Sequence, residues 1–179
     1  MYRVCVDAGV CSPPSEGGWC TPSISNWGIV GRESHPVACV SWEQAKTFSE
    51  WVGGRLPSEA EWEFAARSAG QDWRFHWGND VVTCDRAVIN ERLRGCGKDS
   101  TWPVCSKPEG NTIQGLCDIS GNVAEWVEDS TEVLQRVFRG GSWVWDRNLA
   151  DNTYGSGAYP ERAEPHLGFR PVRPIPQRD

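Results

Sequence analysis

The sequence predicts an α+β domain with two well-marked helices, a few short strands and a large share of irregular loop. Three observations carry this: two capping boxes that each open a helical run, a handful of short extended runs, and a composition heavy in Trp, Gly and Pro. The chain has 179 residues, enough for one core and short for two, so residues 1–173 are expected as a single domain and 174–179 as a polar tail. Eleven Trp, 19 Gly and 12 Pro point to turn-rich segments packed by large rings, a design that carries function on its loops.

In chain order, Tyr2 to Ala8 is expected as a short helix ended by Gly9, after which Pro13, Pro14, Gly17 and Gly18 enforce a loop. Val37 to Val40 reads as a short extended piece. Ser41-Trp42-Glu43-Gln44 is a capping box, and Trp42, Ala45, Phe48 and Trp51 follow at helical spacing until Gly53-Gly54. A second box, Ser58-Glu59-Ala60-Glu61, opens a helix whose inner face holds Trp62, Ala65 and Ala66, closed near Gly70. From Asp72 to Gly115 no helical period survives, and the rings there are separated by Gly, Asn, Asp and Pro, the mark of long loops held by rings and disulfides. Asn122 to Val127, Arg136 to Phe138 and Leu167 to Val172 read as strands. Between the last two, Val144 to His166 has no periodicity at all.

The net charge of −6 and pI near 5.1 weigh against a nucleic-acid partner, which needs a basic face. With no apolar run near about 18 residues, no membrane span is expected, and the first residues lack the apolar stretch of a signal peptide. The eight cysteines stand in no C-x-x-C pair, which favours disulfides over zinc or dithiol chemistry. The alternative is a set of free buried thiols. Disulfides place the chain outside the reducing cytosol, secreted or on a cell surface. Sequence-local pairs are expected: Cys11 with Cys20, Cys84 with Cys96, Cys105 with Cys117.

Five stretches carry a family likeness: HPVACVSWEQAKTFSEWVGGRLPSEAEWEFAAR (35–67), FHWGND (75–80), GLCDISGNVAEWVED (115–129), RVFRGGSW (136–143) and LGFRPVR (167–173). Together, and in this order, they resemble the formylglycine-generating enzyme, or sulfatase-modifying factor, family. The resemblance implies a variant of the C-type lectin fold, with two helices packed on a small twisted antiparallel sheet and much irregular loop. Family members usually carry further strand sequence before the equivalent of Tyr2, so a pared-down or trimmed version is expected.

The family has several uses, so each chemistry has to be tested against the residues. By the resemblance, the two cysteines that hold copper in the oxidases fall at Trp145 and Ala150, and no cysteine follows Cys117. Soft thiolates hold Cu(I), so no copper is expected. Neither is iron, because His35, His76 and His166 share no ligand-type spacing. Ser142 lacks the strand-turn-helix setting of a nucleophile elbow, and Glu59, Glu61 and Glu63 sit where a helix dipole favours them without catalysis. A structural calcium is what the resemblance implies for Asp118 and Glu125 through carboxylates and for Gly121 and Val123 through carbonyls. The alternative is that Asp118 caps a turn and Glu125 pairs with a neighbouring Arg.

Non-catalytic relatives, the variable proteins of diversity-generating retroelements, display a hypervariable surface between Arg-Gly-Gly-Ser-Trp and the terminal Gly-Phe-Arg. In Val144 to His166 only Trp145, Glu161 and Glu164 fall outside the amino acids reachable by randomising an asparagine-type codon that ends in a pyrimidine. The expected ligand-binding residues are Val144, Trp145, Arg147, Asn148, Asp151, Tyr154, Ser156, Tyr159, Arg162 and His166, a mixture of rigid rings, charge and small polar groups. A protein or glycan ligand is expected. The alternatives are a fixed loop that covers its own core, or a metal-dependent oxidoreductase of the family.

Overall fold

The computed structural model describes residues 1–16, 18–21 and 24–174, so all but the first residue of the expected polar tail lies outside the described residues. Three helices, α1 (Tyr2–Asp7), α2 (Trp42–Trp51) and α3 (Glu59–Ala66), precede four strands, β1 (Ala124–Ser130), β2 (Arg136–Arg139), β3 (Gly155–Ala158) and β4 (Leu167–Phe169). Both capping boxes form as read. Ser41 Oγ accepts from the Gln44 amide while Gln44 Oε1 accepts from that of Ser41, and Ser58 and Glu61 repeat the exchange. Helix α2 buries Trp42, Ala45 and Phe48, and α3 buries Trp62 and Ala66, with Ala65 half-buried.

The strands form one sheet in the order β3-β2-β1-β4. β1 and β3 both run antiparallel to β2, but β4 joins β1 in parallel, pairing Leu167 with Ala124 and Phe169 with Trp126. The sheet is therefore mixed where an antiparallel one was expected. A parallel pair needs a long crossover, and residues 131–166 supply it.

Several boundaries differ from the sequence reading for local reasons. Asn122 adopts φ 60°, so β1 begins two residues later, at Ala124. Val37 to Val40 forms no strand because Cys39 turns left-handed at φ 60°. β4 stops at Phe169, just before Arg170 and Pro171, and Val172 instead bridges Arg55. β3 was unforeseen: Gly-Ser-Gly-Ala has no strand-forming side chain, yet all four residues pair in register with β2. Gly155 is needed there, since a Cβ would lie 2.9 Å from the Arg139 side chain.

The disulfides are Cys5–Cys11, Cys20–Cys39, Cys84–Cys96 and Cys105–Cys117, leaving no free cysteine. Two local pairs are as expected, but Cys11 bonds Cys5 rather than Cys20. The turn after α1 brings the Cys11 amide to the Cys5 carbonyl, which sets the two Cα atoms 5.3 Å apart. Full pairing is consistent with an extracytoplasmic protein. No helix among the described residues is long and apolar enough to cross a membrane.

The central core joins Trp42, Leu56, Trp126, Phe138 and Leu167, so α2 and three strands meet in one cluster. Its indoles are satisfied by distant backbone: Trp42 Nε1 donates to the Val127 carbonyl at 2.7 Å and Trp126 Nε1 to that of Val40 at 3.0 Å. Replacing Trp126 by Ala removes a fully buried ring and orphans the Val40 carbonyl, so denaturant unfolding should show a loss of roughly 3–5 kcal/mol. Trp19→Ala, at a ring 70% exposed, should stay within about 0.5 kcal/mol of the parent.

Candidate ligand-binding site

The aperiodic stretch leaves the sheet through Gly140 and Gly141, at φ 95° and 70°. A Cβ would lie 2.6 Å from the Ile119 carbonyl at the first and 2.5 Å from that of Leu149 at the second, so the turn passes where only glycine fits. Trp143 then pins both ends of the segment: its amide donates to the Asn122 carbonyl and its Nε1 to that of Pro165, each at 3.0 Å. The middle is pinned at Asn152. Buried Arg139 donates to the Asn152 carbonyl at 2.8 Å while pairing with Glu59 and Glu63 of α3, and Asn152 Nδ2 donates to the Trp73 carbonyl. A segment without periodicity is thus held by polar bonds to the framework at both ends and in the middle, and by the pairing of β3 with β2.

Between these pins the candidate residues divide. Trp145 is half-buried, stacked on Phe138 with centroids 5.6 Å apart and flanked by Tyr154 and His166 at 6.1 and 4.7 Å. Tyr159, Arg162 and His166 line a small cavity of about 240 Å³ with Gln135, Phe138 and Glu164. Glu164 links two of them, pairing with Arg162 and, at 3.3 Å, with His166 Nε2. Burial pushes the His166 imidazole below its ordinary range, Glu164 opposes that shift and Arg162 adds to it.

Arg147, Asn148 and Asp151 do not line this cavity. Arg147 and Asn148 are exposed on a 3₁₀ turn capped by Asp146, and Asp151 spends Oδ1 on the amides of Thr153 and Tyr154. Val144 is half-buried, and Ser156 is exposed on β3. Sequence reasoning missed Gln135, Phe138 and Glu164. Glu164 had a usable signal, since it alternates with Arg162 and His166 and so places opposite charges side by side.

The two carboxylates expected to hold calcium have protein partners. Glu125, buried on β1, accepts from Trp62 Nε1 at 2.8 Å and from Arg170 Nε and Nη2 at 2.8–3.2 Å, which fills the lone-pair sites of its carboxylate. Burial works against the Arg170 charge, but Glu125 outweighs it and holds the guanidinium more firmly protonated than usual. Asp118 Oδ2 accepts from the Cys105 amide at 2.7 Å, and burial raises the Asp118 pKa. A guanidinium and two N–H donors engage the Asp118 and Glu125 carboxylates, which would have to exchange these partners to join the Gly121 and Val123 carbonyls around a calcium.

The redox metals fare no better on donor chemistry. At the two positions that the family likeness assigns to copper stand the stacked Trp145 and Ala150, the latter 1% exposed against Phe75 and Ile89, and every thiol is spent in a disulfide. Copper does not fit these residues. His35 faces Thr101, His76 bonds the Gly110 carbonyl and His166 faces Glu164, three separate settings that offer no iron triad. Among the described residues, the one cluster of donor atoms within 4.8 Å is Cys105, Cys117 and Asp118, and its two sulfurs are bonded to each other. Ser142 Oγ is wholly buried, not poised as a nucleophile.

Helices on a small mixed sheet, with a loop surface held at its ends and middle, define a C-type lectin-like scaffold of the formylglycine-generating type. The chain belongs to the family of the sulfatase-modifying factor enzyme 1-like domain, whose description matches residues 2–175. It is 34% identical over 182 residues to the formylglycine-generating enzyme of Streptomyces coelicolor, covering 85% of this chain and 57% of that protein. It is 32% identical over 171 residues to the inactive C-alpha-formylglycine-generating enzyme 2 of Bos taurus, covering 88% and 56%. The chain thus spans a little over half the length of these relatives. Among solved structures, Treponema denticola variable protein 1 has a TM-score of 0.66 at 22% identity, covering 92% of this chain and 79% of that one, a likeness of fold.

The Glu125 arrangement makes a direct prediction. The thermal unfolding midpoint should be the same in millimolar calcium and in excess chelator. Arg170→Met, which leaves the Glu125 carboxylate buried and unpaired, should cost about 3 kcal/mol, near the low end for a broken buried pair because Arg170 keeps part of its side chain in solvent.

Proposed function

We propose that the chain is a non-catalytic ligand-binding domain that presents residues 144–166 on a formylglycine-generating-type scaffold. One observation carries this reading: the positions that would hold copper are a stacked indole and a buried methyl, while the loop bearing them stays pinned to an intact framework. Retained clamps around lost donors are what a scaffold kept for display requires. The exposed side chains, Arg147, Asn148, Ser156, Tyr159 and Arg162, combine a rigid ring with charge and small polar groups, a composition suited to a protein or glycan ligand. Codon reach across the segment further supports a diversified variety of this domain, as in variable proteins of retroelement systems. The inactive bovine relative is compatible with a family member that has no turnover. Four disulfides support display outside the cell.

A second reading, a metal-dependent oxidoreductase, draws on the 34% identity to a formylglycine-generating enzyme. It would need a metal set other than two thiolates. The two readings part in an aerobic assay with a cysteine-containing peptide and added Cu(I) or Fe(II). Our reading expects peptide oxidation no faster than with metal alone; an aldehyde product formed in proportion to protein concentration would overturn it.

A further inference from the structure

Two of the three lysines in the chain meet on one ring. Lys98 Nζ lies 3.7 Å and Lys107 Nζ 3.9 Å from the Trp102 centroid, so both ammonium groups are within reach of the same indole. The third, Lys46, also lies over an indole, that of Trp42, but it is the only lysine there and pairs with Glu128. Lys98 and Lys107 have no such carboxylate. Among the described residues neither forms a salt bridge, although the chain carries 24 acidic against 18 basic residues. Asp99 follows Lys98, Glu109 lies two residues past Lys107, and Asp85 acts on Lys107 through space.

The frame fixes this arrangement. Trp102 Nε1 donates to the Gly95 carbonyl at 2.8 Å, and the Trp102 amide and carbonyl both bond the Asn122 side chain, at 3.0 and 3.1 Å. Lys98 follows the turn at Gly95, where φ is 57° and a Cβ would lie 2.1 Å from the Ser100 carbonyl oxygen. Lys107 precedes a 3₁₀ turn that ends at Gly110, where a Cβ would lie 1.8 Å from the Arg86 carbonyl oxygen. The Cys84–Cys96 disulfide stands beside the first turn, and Cys105–Cys117 closes a loop that contains Lys107. The two lysine stems therefore rise from fixed points toward one rigid ring. Like charges so placed repel, and at half-buried Lys107 water screens the repulsion less than on an open surface. Burial lowers the Lys107 pKa, Asp85 opposes that shift and Lys98 adds to it. A dianion between the ammonium groups turns the repulsion into two charge-assisted hydrogen bonds.

We propose that Lys98 and Lys107 form an oxyanion site beside the Trp102 ring, in which the two ammonium groups bridge a phosphate dianion, free or as the ester head group of a larger ligand. The site stands whether or not residues 144–166 bind a ligand. Reductive ¹³C-methylation keeps the lysine charges and gives one side-chain signal set for each of the three lysines. These are followed by NMR while inorganic phosphate is titrated at constant ionic strength and pH about 8, where it is doubly charged. The Lys98 and Lys107 signals should shift saturably with one common dissociation constant, and Lys46 should not respond. Lys98→Gln, read at Lys107, and Lys107→Gln, read at Lys98, should each weaken phosphate roughly fivefold or more. Lys98→Arg, which keeps the charge, should weaken it less, and Lys46→Gln should change nothing. Unaltered circular dichroism and melting show that the variants are folded, as expected for Lys98, an exposed position. Phosphoserine separates the two sources: affinity equal to that of phosphate assigns the ester head group, and weaker binding of the ester assigns the free ion. Absence of a saturable shift, an equal response of Lys46, or unchanged phosphate affinity in both glutamine variants would each overturn the proposal.

Discussion

A buried carboxylate organises this fold. Glu125 sits on β1 with 6% of its side chain exposed, and such a charge is stable only if it is paired and hydrogen-bonded. Its partners come from across the chain: Trp62 from α3, and Arg170 from just past β4. Arg170 also donates to the Cys117 carbonyl, which anchors the loop closed by the Cys105–Cys117 disulfide. One ion pair therefore joins the helix, the two parallel strands and the disulfide loop. Because β4 returns only after the whole 131–166 excursion, this pair also fixes where that excursion ends.

The excursion is built by a second buried ion, Arg139, which reaches α3 on one side and the Asn152 carbonyl on the other. Backbone that lacks regular partners must find side-chain ones, and here Arg139, Trp143 and Asn152 provide them. Between the pins some side chains still serve the fold: Asp146 and Asp151 accept from local turn amides, Ala150 is buried against Phe75 and Ile89, and the Trp145 ring covers Phe138, while Arg147, Asn148, Ser156 and Tyr159 stay exposed.

What could be read from the sequence was what is locally determined. Both capping boxes depend on residues three apart, and both formed as expected. The turns that shape the sheet margins were harder, because Cys39 and Asn122 take left-handed conformations that tertiary bonds impose and composition does not announce. β3 was illegible for the same reason: Gly155 to Ala158 has no strand pattern of its own and is a strand because β2 accepts it in register. Motif likeness located Glu125 and left its partner open between a calcium and an Arg; in the fold it pairs with Arg170, 45 residues further along the sequence. Of the ten expected contact residues, Tyr159, Arg162 and His166 share one cavity with Glu164, which couples two of them and was not among the ten.

The central claim is that the framework serves as support while the surface between the pins is available for recognition. Sequencing this gene from many individuals of its source population tests that most directly. The account predicts substitutions concentrated at the exposed codons of Arg147, Asn148, Ser156, Tyr159 and Arg162, with Glu125, Arg139, Trp143, Asn152 and Arg170 unchanged. Invariant exposed codons, or changes spread equally over the clamps and the surface, would contradict it.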